Sequence, residues 1–265
     1  MELESVRIDG EGAVRHLVLN RPEVHNAVNA QLVRDMHEAV RWLDGDASVR
    51  VVIVRGEGKS LCSGADLKQD RTSSQDTMLG SKHGATMYDA LMHMNPVTIA
   101  LCHGYMIGGG AVLPAACDFR IGSPTLNLTL NEISIGFNLT WHSLPALVNL
   151  VGAQRAKEML ILGRTYNMAD LNEMGYFTDV VTDDDALIPA GERLAAEVVK
   201  QPPVPVTVTK ASINAQAMPL GRAIQHMDHL ACLLYTSPSP RDQRGSGMPG
   251  WAWKKKRGGG GGGGG

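Results

Sequence analysis

Cysteine is scarce in this chain: Cys62, Cys102, Cys117 and Cys232 are all there are in 265 residues. No pair is spaced C-x-x-C, and the first three sit in apolar surroundings. They read as reduced core thiols, which argues against a disulfide framework and against a zinc site. No apolar run approaches the roughly 20 residues that a membrane-spanning helix requires. Met1-Glu2-Leu3-Glu4 is acidic and lacks the pattern of a signal or transit segment, so a cytoplasmic protein is expected. No internal repeat is long enough to build a solenoid.

Basic charge is also lacking once the C-terminal stretch is set apart. Residues 232–265 open with a Ser/Pro-rich segment, pass through Lys254-Lys255-Lys256-Arg257 and end in a glycine run. Cys232-Leu233-Leu234-Tyr235-Thr236-Ser237-Pro238-Ser239-Pro240 resembles a translated frame of a transposase adapter used in sequencing libraries. The competing reading is a Ser/Pro linker with a basic tail. The expectation adopted is a non-native, disordered tail over 232–265, excluded from the fold as an expression scar would be. That stretch holds 6 of the 25 Lys and Arg and 1 of the 27 Asp and Glu, so the body carries a formal net charge of −7. An acidic body has no nucleic-acid footprint.

Two glycine-rich stretches stand out. Val97 to Cys102 is an apolar run that reads as a buried strand, and Gly104-Tyr105-Met106-Ile107-Gly108-Gly109-Gly110 follows it. Ala111 to Cys117 then reads as the opening of a helix. Unpaired N–H groups at a helix start, approached through glycine, can hold a negative charge developing on oxygen. A turn that merely lets strand and helix pack closely has the same composition. The second stretch, Gly56 to Leu67, includes Gly64-Ala65-Asp66-Leu67 and follows the apolar strand Val51 to Val54.

Together these stretches resemble the crotonase superfamily, the enoyl-CoA hydratase/isomerase family, and the resemblance runs from about Val6 to Ala231. It implies an α/β fold, a spiral of ββα units over 1–200, with a C-terminal helical region beginning over 201–231. It also implies an oxyanion hole whose two N–H donors are Ala65 and Gly109. The acyl-CoA thioester would lie against Val24, Ala65, Asp66, Leu67, Lys68, Gly108, Gly109 and Val112. Asp66 would fix the oxyanion loop. Coenzyme A is then part of the substrate, no separate cofactor or metal is implied, and a homotrimer or a pair of trimers is expected.

The remaining pattern fits that frame. Val6 to Ile8 and Val14 to Leu19 flank Asp9-Gly10-Glu11-Gly12 as a hairpin. The loop 20–27 contains His25, read as a structural hydrogen-bonder. Leu32, Met36, Ala39, Val40 and Leu43 recur at helical spacing, and that helix ends near Gly45. Residues 68–76 read as a loop. Met78, Met87, Leu91 and Met94 mark a soft helical face, which suits either an acyl tunnel or ordinary packing. Strands are expected at Asp118 to Gly122, Leu126 to Leu128 and Val180 to Thr182. Helices are expected over 146–152, 153–162, 186–199 and 205–217, and another from Leu220.

Chemistry separates the possible reactions. Leu130-Asn131-Glu132-Ile133-Ser134-Ile135-Gly136 resembles the family segment that carries a catalytic glutamate, here Glu132. A lone glutamate could equally cap a helix or pair with arginine. The family's hydratases carry a second glutamate three residues beyond the middle glycine, and this chain has Val112 there. One carboxylate suffices to move a double bond, and the Δ3,Δ2-enoyl-CoA isomerases resemble this chain in L-N-E and in an aromatic at the place of Trp141. Thr140 stands where dehalogenases and hydrolases of the family carry aspartate, and His142 reads as a helix-start residue. The expected activity is therefore enoyl-CoA isomerisation. Hydration or another acyl-CoA lyase reaction with an unrecognised second group, and non-catalytic acyl-CoA binding, are the alternatives.

Overall fold

The computed structural model describes residues 3–66 and 74–217, with side chains from 82 onward in the second stretch. Leu67, Lys68, the side chain of Met78, the helix expected from Leu220 and the tail over 232–265 lie outside the described residues.

The hairpin forms as its turn residues dictate. β1 (Val6–Asp9) pairs antiparallel with β2 (Val14–Leu19), in the register Val6 with Leu19. α1 (Ala30–Gly45) follows. Asn29 caps it by accepting from the Leu32 N–H at 2.8 Å, and Leu32, Val33, Met36, Ala39, Val40 and Leu43 form its buried stripe. β3 (Val51–Gly56) lies parallel to β2, and α2 (Ser74–His93) comes next. α2 begins inside the stretch read as a loop through Asp76.

β4 (Val97–Cys102) is parallel to β3 and leads into β5 (Tyr105–Ile107), a strand that the sequence reading passed over. The helix expected after the glycines is short. It is one α-turn, α3 (Gly109–Val112), continued by a 3-10 segment, Leu113–Ala116, where Pro114 cannot extend an α-helical hydrogen-bond ladder. β6 (Phe119–Gly122) and β7 (Asn127–Thr129) follow, then α4 (Leu144–Val151) and α5 (Ala153–Leu162). β8 (Thr165–Asn167) was also missed, and it pairs antiparallel with β7. α6 (Met168–Glu173), β9 (Asp179–Val180), α7 (Leu187–Val199) and α8 (Pro203–Ala217) complete the order.

The strands form a six-stranded sheet, β1-β2-β3-β4-β6-β9, and a three-stranded one, β5-β7-β8. Two isolated parallel bridges extend the small layer: Val28 with Ala65, and Cys62 with Met106. Each turn of the chain therefore lays a strand in the large sheet, then an extended piece in the small layer, then a helix. β2 is followed by Val28, β3 by 62–65, β4 by β5 and β6 by β7. This is the ββα spiral of the expected α/β fold.

Period-two alternation sorts the core onto the two faces of the large sheet. Val52, Val54, Ala100 and Cys102 join the main cluster with α1 and α2. Val51, Ile53, Val97, Ile99 and Leu101 face the second cluster, which α7 covers with Leu187, Ala190 and Ala195. Each buried valine, isoleucine or leucine among them contributes about 1.5–3 kcal/mol. Because both faces are covered, the central strands read as unbroken apolar runs. Among the described residues no helix is long and apolar enough to cross a membrane.

Candidate active site

The small layer brings the two glycine-rich stretches side by side. The Cys62 N–H donates to the Tyr105 carbonyl at 3.1 Å, and the Ile107 N–H donates to the Cys62 carbonyl at 3.1 Å. Gly64 has φ +84°, and a β-carbon there would meet the Ile107 carbonyl oxygen at 2.5 Å, so only glycine fits. On its other side the segment is bridged to Val28. The Val28 N–H donates to Gly64, and the Asp66 N–H donates to Val28. This pattern leaves the Ala65 N–H pointing away from Val28, with no acceptor among the described residues. Gly109 opens α3, so its N–H has no acceptor within the helix.

Three side chains hold this geometry. Arg21 Nη2 meets Asp66 Oδ2 at 3.0 Å in a mostly buried pair, and Arg21 Nη1 donates to the Ala27 carbonyl. Asn26 is fully buried with φ +56°. Its amide donates to the Glu57 and Ser60 carbonyls at 3.0 and 2.8 Å, and its Oδ1 accepts from the Arg21 N–H at 2.8 Å. His25 is structural as read: its ring meets Ser60 Oγ at 3.1 Å and stands edge-on to Tyr105. Val24 lies in the same loop, its carbonyl accepting from Ser63 Oγ at 3.3 Å. Arg21 and Asn26 had no assigned role. The available signal was an arginine and a turn-forming asparagine in the loop that faces the G-A-D acid.

Glu132 comes from the other side. It precedes the 3-10 turn Ile133–Ile135, and its side chain does not cap that turn. A β-carbon on Gly108 would lie 3.1 Å from Glu132 Oε1, so the carboxyl sits against the glycine turn, and Gly108 itself has φ +53°. Glu132 Oε2 is buried and has no hydrogen-bond partner among the described residues. Loss of water pushes the Glu132 carboxyl up from the ordinary carboxylate range, opposed by a hydrogen bond from its own backbone N–H. The capping and arginine-pairing alternatives for Glu132 are therefore not what its side chain does.

Val112 is 1% exposed and packs into the main core cluster beside the turn. Trp141 and His142 do not start a helix. Both adopt left-handed conformations, φ +63° and +56°, and α4 begins after Ser143. His142 Nδ1 instead meets Asp89 Oδ2 on α2 at 2.9 Å. Of the residues expected to line the acyl-CoA site, Gly108, Gly109 and Val112 belong to the glycine turn against Glu132, Ala65 and Asp66 to the segment bridged to that turn through Cys62 and Met106, and Val24 to the loop bonded to Ser63, while Leu67 and Lys68 lie outside the described residues. Cys62, Cys102 and Cys117 are buried free thiols whose pKa values burial raises, as in structural core cysteines. Among the described residues no three His, Cys, Asp or Glu side chains group as metal ligands.

Two unbonded N–H groups beside one desolvated carboxyl can stabilise an enolate and move a proton. Comparison with known proteins identifies the family. The family profile described as enoyl-CoA hydratase/isomerase matches residues 9–257, a span that extends past Cys232 into the segment read from sequence as non-native. The chain is 33% identical over 203 residues to YngF of Bacillus subtilis, which carries the enoyl-CoA hydratase/isomerase name, covering 75% of this chain and 76% of that one. Its fold is similar to an enoyl-CoA hydratase from Mycobacterium avium subsp. paratuberculosis, with a TM-score of 0.81 at 20% identity over 93% and 95% of the two chains. It is similar also to a monofunctional enoyl-CoA isomerase from M. smegmatis, with a TM-score of 0.69 at 25% identity over 80% and 93%. The crotonase-type spiral, the glycine turns and the sequence match lead to one assignment: the chain belongs to the enoyl-CoA hydratase/isomerase family.

Proposed function

We propose that this family member is a Δ3,Δ2-enoyl-CoA isomerase. The observation that carries the reading is that, among the described residues, Glu132 presents the unpaired carboxyl at the glycine turn. Glu132 lies against Gly108 with a buried, unpartnered oxygen, and the position of the hydratases' second glutamate is the core residue Val112. Relatives named as hydratases and as isomerases share the fold, so the names do not separate the two reactions, and the residues must.

In the proposed reaction Glu132 takes a proton from C2 of a 3-enoyl thioester. The electron pair moves into a dienolate whose charge rests on the thioester oxygen. The N–H groups of Ala65 and Gly109 hold that oxygen, and losing one such donor costs about 3 kcal/mol of barrier. The protonated Glu132 then returns its proton at C4, the double bond settles between C2 and C3, and no water is consumed. A desolvated carboxyl suits both halves, because a base of raised pKa also binds the carried proton until it is delivered.

Glu132→Gln should lower isomerisation by about 10²–10⁴-fold while acyl-CoA binding persists. Unchanged turnover would remove Glu132 from the mechanism. Supplying 3-enoyl-CoA and 2-enoyl-CoA separately tests the reaction type: hydration of the second at a rate comparable to isomerisation of the first would favour a hydratase. Absence of proton exchange at C2 of any acyl-CoA would favour a non-catalytic binder.

A further inference from the structure

We infer that Trp141 is the specificity-determining residue of this site: its indole closes the acyl pocket beside Gly109 and restricts the enzyme to short acyl chains. This rests on the reading above that Glu132 and the turn at Gly108 and Gly109 receive an acyl-CoA thioester.

The indole is wedged end to end between two glycines. A β-carbon on Gly84 of α2 would overlap Trp141 Nε1 and Cδ1. A β-carbon on Gly109 would lie 2.8 Å from Trp141 Cη2 and 3.0 Å from Cζ3. The pyrrole end of the ring thus rests on α2, and the benzene end rests on the residue whose N–H is the second oxyanion donor. Any side chain at either glycine would displace the ring.

The ring is also fixed in place. Trp141 and His142 are consecutive non-glycine residues in the left-handed region, which bulky side chains avoid unless their surroundings demand it. The turn is tied by Ser143 Oγ, which donates to the Thr140 carbonyl at 2.6 Å, and by His142 against Asp89. Asp89 and Gly84 both belong to α2, so two adjacent side chains of this loop grip one helix. Trp141 is only partly buried and packs at the rim of the main cluster, which leaves indole surface for a ligand.

The consequence for a substrate follows from neighbouring contacts. Glu132 approaches Gly108 and the indole approaches Gly109, so base and wall stand on consecutive residues of one turn. An acyl group with its oxygen at the Gly109 N–H and its C2 at Glu132 must run past a flat, anchored ring. In this pose the ring and α2 limit the length of chain that can follow.

Calorimetric binding of butyryl-, hexanoyl-, octanoyl- and decanoyl-CoA tests this without turnover. The natural protein should bind hexanoyl-CoA more tightly than decanoyl-CoA. Trp141→Ala should raise the affinity for decanoyl-CoA relative to butyryl-CoA by about tenfold or more, with Trp141→Phe intermediate. The phenylalanine variant retains a ring for packing, so it carries the test if the alanine variant does not fold. Equal binding of decanoyl- and hexanoyl-CoA by the natural protein would overturn the inference. So would a ratio that changes by less than about twofold in both variants. If no acyl-CoA binds at all, the site reading fails and this inference with it. If chain-length discrimination shifts as expected but no isomerisation occurs, only the proposed reaction fails.

Discussion

At the scale of single residues, Glu132 couples function to stability. Its folded pKa is raised by burial above the ordinary glutamate value of about 4.3. A group of that kind favours the folded state fully below its unfolded pKa, and the contribution is lost as pH rises through the folded pKa. Above the unfolded pKa, burying this carboxyl is therefore a cost to stability. Glu132→Gln should raise the melting temperature at neutral pH, with the gain shrinking as pH falls through the acid range, as thermal denaturation at several pH values would show. The acid limb of kcat/KM in the natural protein should lie above the ordinary glutamate range. A limb at the ordinary value would mean that water reaches the carboxyl when substrate is absent. Glu132 was legible in the sequence because a contiguous motif surrounds it. Trp141 was legible only as an aromatic at a familiar place. Its partners Gly84 and Gly109 are dozens of residues away, and no local pattern announces a ring that spans them.

At the scale of elements, the long periodic pieces were readable, and of the short strands β7 and β9 were expected while β5 and β8 were not. α1 announces itself by its apolar stripe, and β3 and β4 by unbroken apolar runs. β5 and β8 have three residues each, too few for an alternation to register, and exist because neighbours supply their hydrogen bonds. The same holds for 62–66, which pairs through two isolated bridges. Such a segment needs anchoring from outside, and the Arg21–Asp66 pair supplies it. Arg21→Gln and Asp66→Asn should each lower kcat by up to about a hundredfold with a smaller change in KM, because a misplaced donor affects the transition state most. The double variant should be little worse than either single one, a coupling of about 0.5–3 kcal/mol in a double-mutant cycle. Additive losses would mean that the two side chains support the loop independently.

At the scale of the whole molecule, the spiral leaves its last described helix to be fastened by polar groups. The stripe along α8 is weak: Val204, Val208 and Ile213 are exposed, and no α8 residue is fully buried. The helix is held instead by Lys210, whose Nζ lies 2.8 Å from Asp118 Oδ2 and 2.7 Å from the Pro96 carbonyl, and by Asn214, which donates to the Met92 carbonyl at 3.1 Å. Asp118 Oδ2 also accepts from the Thr98 N–H at 2.8 Å and Thr98 Oγ1 at 3.0 Å, which joins α8 to the starts of β4 and β6. The two ends of this ion pair are unequal. Asp118→Ala removes the acceptor of two Thr98 donors and leaves the Lys210 ammonium buried without a counter-charge, so it should cost about 3–5 kcal/mol. Lys210→Met keeps the aliphatic stem and leaves Asp118 with both Thr98 donors, so about 1–2 kcal/mol is expected. Urea unfolding of the two variants decides the order. Equal losses would place the stabilisation in the ion pair itself, whereas the larger loss for Asp118 is what a carboxylate shared between a helix and two strands requires.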